Sequence, residues 1–540
     1  MSRTWIACLT ALLCLFGAPA RAITIEQAMA DPDWIGPPVE QAYWSLDGGS
    51  VYYRVKQKGS PVRDLHRITL ADGRDDIVDP SEMADADGPA PVYDRERRRA
   101  AFVRNGDVFV RELPGGRLLQ VTRTPEQEAS PQFSADGRAV QYRIGSDWYS
   151  HDLATRVGGL VAVVKTTKDP DAAKPDDLGQ MQLRWFSTLR KAKADKAAQK
   201  QHADNYAQGD PTRAPLPFHI GDEVKVEGSS LSPNGRWLLL VTSPKEHEAG
   251  RKGKLQRFVT ESGYEEQEDE RTRVGRNAPA PQSLLLLDLA THAQRPLAFD
   301  GLPGIDDDPL ADVRKENEKL RRERGLEESD EAAGAKARSK HDRKDPAPRA
   351  VRIVSDAEDG GGGGFAWSAD GTSLAIQIRA IDNKDRWIST VDFERAKLSS
   401  RHRLTDPGWI NWNFNEFGWL RDNRTLWYVS EESGYSQLYA IAAGGKAKAL
   451  TRGKFEVSAP VESPDGRWFY LRANAEAPYS YDVYRVAVGG GELERVTALK
   501  GMQSFTLSPD GRQLALLHSS AYVPSQLAVA GVDGGAPRTL

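Results

Sequence analysis

Apolar and polar residues alternate along this chain in short runs of about four to eight, the period-two pattern of half-buried strands. The runs break at one recurring phrase: an aromatic or aliphatic residue, Ser, then Pro, Ala or Leu, Asp or Asn, Gly, and a new apolar run. It reads WSLDGGSVYY at Trp44, FSADGRAVQY at Phe133, LSPNGRWLLL at Leu231, WSADGTSLAI at Trp367, ESPDGRWFYL at Glu462 and LSPDGRQLAL at Leu507. Pro fixes φ and Gly accepts positive φ, so the phrase predicts a tight turn between two antiparallel strands. In the last unit, 504–507 is a strand, Ser508 to Gly511 the turn and 513–517 the returning strand. A third strand over 526–529 and a Gly534-Gly535 turn lead to the closing residues Arg538, Thr539 and Leu540.

The second half of the unit recurs as DVFVRELPGGRLLQVT from Asp107, QLYAIAAGGKAKALT from Gln437 and DVYRVAVGGGELERVT from Asp482. Four short antiparallel strands per unit, repeated at intervals of about 40 to 50 residues, predict an all-β fold, a β-propeller. Eight blades are expected, at 40–70, 92–124, 131–155, 228–297, 351–406, 415–453, 458–498 and 503–540. The second offers only VYDRERRRAAFVRNG from Val92, and the sixth has Asp422-Asn423 in its turn. Seven blades therefore stay open as an alternative, and an open sandwich explains the fixed register less well. No segment is available to exchange a strand between the first and last blades, so an imperfect seam is expected near residues 40 and 540. Insertions are expected at 156–227, where QLRWFSTLRKAKADKAAQKQHADNYAQ predicts helix, and at 302–350, a charge-dense helix and disordered loop with acids and bases interspersed. Gly360 to Gly364 is expected to be a flexible joint.

The first 22 residues change the picture of where the chain works. Arg3, the apolar stretch from Trp5 to Phe16 and Ala20-Arg21-Ala22 form the three parts of a secretory signal peptide, too short in its apolar core for the ~20 residues of a membrane span. An uncleaved anchor and a lipid-modified Cys14 are the alternatives. Cys8 and Cys14 both lie in this segment, so residues 23–540 hold no thiol for a disulfide, a nucleophile or a metal. A periplasmic or secreted location is expected, with no membrane span in the mature chain. Without residues 1–22 the chain has 71 basic and 77 acidic residues. With no basic stripe interleaved with aromatics, this balance argues against a nucleic-acid partner.

No G-x-S-x-G nucleophile turn, H-E-x-x-H pair or P-loop occurs, so no catalytic residue, metal ligand or cofactor is assigned. One segment invites a ligand: WINWNFNEFGW from Trp409 to Trp419, followed by SEESGY from Ser430 to Tyr435. Trp409, Trp412, Asn413, Asn415, Glu431 and Glu432 offer stacking surface, amides for a peptide backbone and an anchor for an amino terminus. Trp-x-x-Trp and Asn-x-Asn cannot all point into a blade whose strands alternate with period two. The other account makes Trp419, Trp427 and Tyr428 blade packing and leaves Glu431 and Glu432 in a hairpin turn.

The repeated SPDG units, RFVTESGYEEQEDERTRVG from Arg257, DNKDRWISTVDF from Asp382, HRLTDPGWINWNFNEFGWL from His402 and SEESGYSQLY from Ser430 together resemble the N-terminal propeller of secreted bacterial prolyl oligopeptidase-family serine peptidases of the dipeptidyl peptidase IV type. The resemblance runs from Ile23 to Leu540. It implies a non-catalytic propeller that gates short peptides to an α/β-hydrolase domain, the expected partner, which would follow residue 540. The family's paired-glutamate motif is not carried over to Glu265-Glu266, Glu327-Glu328 or Glu431-Glu432. The SPDG unit alone is also similar to TolB-like periplasmic propellers, which makes a protein-interaction propeller the alternative.

Overall fold

The computed structural model describes residues 24–30, 35–170, 172, 177–210, 212–248, 250–272, 279–324, 349–353 and 364–540. The expected signal peptide, the loop over 325–348 and the joint at Gly360 to Gly363 lie outside these residues. Among the described residues, eight antiparallel strand groups follow one another at 39–77, 92–120, 128–162, 224–297, 351–405, 417–449, 457–495 and 502–539, the last two joined by one parallel pair at Tyr481–Met502. Each is a blade of an all-β propeller. In blade five the first strand comes in two pieces, Val351–Ile353 and Phe365–Trp367, both paired with Leu374–Ala380.

The repeated phrase forms its turn through side-chain oxygen. The Ser hydroxyl donates to the Asp carboxylate at 2.6 Å in Ser368–Asp370, Ser463–Asp465 and Ser508–Asp510, and to Asn234 at 2.7 Å from Ser232. The same hydroxyl accepts from the returning strand, as at Trp468 N (3.0 Å) and Gln513 N (2.9 Å). Blade two reaches this geometry with other residues. The Asp94 carboxylate accepts from Arg98 N (2.7 Å) and Arg99 N (3.1 Å), and Arg97 takes the positive φ of 53° that Gly takes elsewhere. In blade six Asn423 does so at 57°. The closing Thr has an equally local reason. Thr122, Thr451 and Thr497 each accept the amide of the third strand, from Val108 (2.9 Å), Leu438 (3.0 Å) and Val483 (2.9 Å).

The aromatic residue that ends the first strand joins neighbouring blades. Trp367 Nε1 donates to Ser230 Oγ of blade four (2.9 Å), Trp419 Nε1 to the Ala366 carbonyl of blade five (2.9 Å), and Trp44 Nε1 to the Thr506 carbonyl of blade eight (3.0 Å). First strands therefore converge around a central axis. A buried apolar cluster fills each contact between blades, such as Trp237, Leu286, Ile376 and Trp387 between blades four and five. Burying one such side chain stabilises by roughly 1.5–3 kcal/mol against about 1 kcal/mol for a typical hydrogen bond, so interface packing dominates the ring.

The seam between blades one and eight corrects the expected gap. Trp44, Val51, Tyr53 and Ile68 pack with Ala515 and Leu527, and Arg538 donates to the Leu70 carbonyl (3.4 Å). Among the described residues no strand is exchanged across this seam. A second tie crosses the same seam: Arg97 of blade two donates to the Pro509 carbonyl of blade eight (3.1 Å), bypassing blade one, while its guanidinium stacks 3.7 Å over the Tyr93 ring.

Short helices precede and interrupt the ring: α1 (Ile25–Ala30), α2 (Asp177–Trp185), α3 (Ser187–Gly209) and α4 (Ala311–Glu323). The fourth strand of blade three, Gly158–Ala162, lies inside the segment expected to be inserted, and blade four begins at Val224. A hairpin of Lys252–Arg257 and Glu266–Thr272 interrupts blade four, where continuous blade was expected. The excursion after blade four is pinned at its base, where Arg349 N donates to the Ile305 carbonyl (2.9 Å) and the Arg349 guanidinium bonds Asp382 and Asp385.

Candidate functional site

Sequential antiparallel strands give the propeller two distinct faces. Turns between first and second strands lie on one face, and turns between second and third strands share the other with the connections between blades. The first strand of blade one starts on this second face and the last strand of blade eight ends there. So do all six residues singled out above: Trp409 to Asn415 connect blades five and six, and Glu431-Glu432 turn between Leu426–Ser430 and Gln437–Ile441.

Arg386 organises the cluster. It is the second residue of the third strand of blade five, Asp385–Asp392, where alternation sends Asp385 towards Arg349 and Arg403 and sends Arg386 towards blade six. Its side chain, 1% exposed, donates to the Phe414 carbonyl (2.7 Å), Asn415 Oδ1 (3.2 Å) and the Val429 carbonyl (2.9 Å). Burial lowers its pKa to about 10, against the opposing fields of Tyr428, Glu432, Glu431 and Glu416. The connecting loop is fixed from below by this cation and from the side by Lys384, which donates to the carbonyls of Pro407 (2.6 Å) and Gly408 (2.7 Å).

The six residues separate into different places. Trp409 is 78% exposed. Trp412 is half-buried beneath Arg379, whose guanidinium carbon lies 5.4 Å from the ring centroid, and its indole N–H is buried without a partner. Asn413 is exposed. Asn415 is fully buried, holding Arg386 and donating to the Trp412 carbonyl, so it supports the loop from inside and presents no surface. Glu431 and Glu432 occupy a hairpin turn, and they diverge. Glu432 meets His402 Nε2 at 2.5 Å, and the His402 ring lies 4.4 Å from that of Tyr428. Glu431 takes a 3.5 Å contact from Asn411 Nδ2, and its pKa is raised, by burial first and further by Glu456 and Asp406.

Two carboxylates absent from the sequence-based set complete the face. Glu416 and Glu456 immediately precede the first strands Phe417–Trp419 and Val457–Glu462, equivalent positions of consecutive blades; that shared register was the available signal. Burial raises the pKa of Glu416, which accepts the Ala459 amide at 2.8 Å while its Oε2 has no partner. Glu456 accepts the Tyr481 hydroxyl at 2.5 Å, and burial with that bond pushes the phenol up to about 12. Arg386 is the other residue that alternation alone did not reveal. Carboxylates held close together in partly buried positions, beside a half-buried indole, suit a cationic group that desolvates on binding.

The fold and this face define an eight-bladed propeller with an acidic, aromatic loop face. Residues 354–525, from blade five into blade eight, match the family described as the dipeptidyl peptidase IV (DPP IV) N-terminal region. Over these residues the propeller is similar to that N-terminal region. Among solved structures, the chain is similar to Porphyromonas gingivalis dipeptidyl peptidase 4, at 13% identity and a TM-score of 0.49 over 94% of this chain and 60% of that one. It is also similar to a putative dipeptidyl aminopeptidase IV from Bacteroides ovatus ATCC 8483, at 13% identity and a TM-score of 0.48 over 93% of this chain and 59% of that one. The chain spans about three fifths of the length of these relatives.

Proposed function

We propose that this chain is the non-catalytic, substrate-admitting propeller of an exported serine peptidase acting on short peptides. Its α/β-hydrolase partner packs against the face that carries Trp412, Glu416, Glu431 and Glu456. The observation that carries the reading is the convergence on one face of the raised-pKa carboxylates Glu416 and Glu431 with Glu456. A peptide's free ammonium fits the carboxylates, and its first side chains fit the exposed Trp409 and half-buried Trp412. The propeller sorts by size and terminus, and the covalent chemistry belongs to the partner domain.

The test compares a dipeptide amide with its N-acetylated form by titration calorimetry on this chain. The free amine should bind more tightly, by about tenfold or more for one charge-assisted contact. Glu431→Gln and Glu456→Gln should erase the difference. Equal affinity for the two peptides, or hydrolysis by the propeller alone, would sink the proposal.

A further inference from the structure

The elbow between α2 and α3 leaves an amphipathic surface uncovered. On α2, Leu178, Met181 and Trp185 recur at i, i+3 and i+7, which places them on one helix face. They are 60%, 49% and 78% exposed. Phe186 and Leu189 continue the patch around the elbow at 55% and 43%. Along α3, Lys193, Lys196 and Lys200 follow Leu189 at i+4, i+7 and i+11, so a lysine stripe runs on from the apolar patch along one side of the helix. Every residue of this stripe is exposed.

The charge is one-sided as well. Residues 177–209 hold six Lys and Arg against three Asp, in a chain whose formal net charge is −4. Lys200 pairs with Asp204 at the far end (2.9 Å). Arg190 is spent on the carbonyls of Leu183 (2.9 Å) and Arg184 (2.7 Å), which ties the two helices at the elbow and presents their apolar residues together. The base of the hairpin is held to the ring by the parallel pairs Val164–Phe218 and Lys165–His219, with Phe218 buried. The elbow is thus an arm on a fixed root, with aromatic residues at its tip and cations along its side.

We propose that this arm is an interfacial anchor for an anionic phospholipid surface. Trp185 and Phe186 enter the headgroup boundary, and Lys193, Lys196 and Lys200 lie over the lipid phosphates. Both halves of the surface are then used, since the apolar tip supplies burial and the stripe supplies charge complementarity. The helices lie on the membrane and none crosses it; among the described residues no helix is long and apolar enough to span. Anchoring leaves peptide binding on the ring unchanged and does not depend on it.

The experiment is co-sedimentation of the chain with vesicles of 30% phosphatidylglycerol in phosphatidylcholine, alongside pure phosphatidylcholine, at low and high salt. Binding to the anionic vesicles alone, weakened by salt, is expected. Lys193→Gln, Lys196→Gln and Lys200→Gln together should lower partitioning by about a hundredfold, at about fivefold per lysine. Trp185→Ala with Phe186→Ala should lower it by about tenfold or more. Both variants should keep the melting temperature, because the altered side chains are exposed. Absence of binding to the anionic vesicles, or binding that neither variant weakens, overturns the proposal. So does a dimer in light scattering that the Trp185 and Phe186 changes dissociate without any vesicle binding, which would assign the patch to a second copy.

Discussion

Replacing Arg386 by Met removes a buried cation while keeping most of its volume, and the structure sets what that should cost. Three acceptors lose their donor: the carbonyls of Phe414 and Val429 and the Asn415 side chain. A buried acceptor left unpaired costs about 1–3 kcal/mol. Against this stands relief from burying a charge, whose size is signalled by the fall of the Arg386 pKa to about 10. Among the described residues, the hydrogen-bond partners of Arg386 are neutral groups, so no carboxylate is left stranded by the change. Three such unpaired acceptors, less the relief from burying the charge, leave a net loss of about 3–5 kcal/mol. At about 2.1 cal/mol/K of unfolding entropy per residue, a cooperative ring of roughly 500 residues would lose about 3–5 °C. Arg386→Lys should lie between, since an ammonium keeps the charge but cannot reproduce the planar fork. Urea unfolding and calorimetry measure both variants, with Arg467→Gln as the surface control expected within about 0.5 kcal/mol. An Arg386→Met protein as stable as the parent would show that relief of charge burial outweighs the lost hydrogen bonds, and the account of Arg386 as organiser of the loop would fail.

Further outcomes follow from other parts of the ring. The Ser463 hydroxyl holds the Asp465 carboxyl at about 2, and a similar bond from Ser134 lowers Asp136. Since these folded values lie below the unfolded one, their stabilisation is complete above about pH 4 and lost as the pH falls towards 2; a urea midpoint that stays level across that window would contradict it. Thr451→Val should cost about 1–2 kcal/mol by orphaning the Leu438 amide, with Thr451→Ser close to the parent; equal effects of the two would remove the hydroxyl from the explanation. Trp44→Ala should cost about 3–5 kcal/mol and lower hydrogen-exchange protection in blades one and eight first; uniform loss around the ring would deny the seam any special weakness. Affinity for an amino-terminal peptide should rise as pH increases through the raised pKa of Glu431, and fluorescence titration across pH 4 to 7 checks the sign.

The blades were legible because their determinants are local. Ser, Asp and Gly of one turn bond within five residues, so six intact phrases announced six turns, and the degraded ones at Asp94 and Asp422 kept enough carboxylate chemistry to be counted. The hairpin at 252–272 escaped because its strands carry mostly charged residues and bury little, leaving no apolar alternation to read. The seam escaped for the opposite reason: Trp44 meets Thr506, 462 residues away, and no local pattern reports such a pairing. At the candidate face, sequence found the loop and the turn, but which side chains face each other depends on how adjacent blades abut. On that ground Asn415, expected to offer its amide to a ligand, is folded inward, and Glu456, of which no role was expected, is brought to the cluster.

The Arg97 tie has a mechanical consequence. Trp44, Arg538 and Arg97 fasten blades one and two to blade eight, and all three fasten near the face of the Ser-Asp turns. The opposite rim of the seam is held by apolar packing and carries none of these three ties. A hoop laced along one edge does not widen evenly when strained; it flares like a drawstring bag, gaping at the free edge while the laced edge stays cinched. Breathing of this propeller should therefore open the rim that bears Glu431 and Glu456 and leave the other mouth narrow.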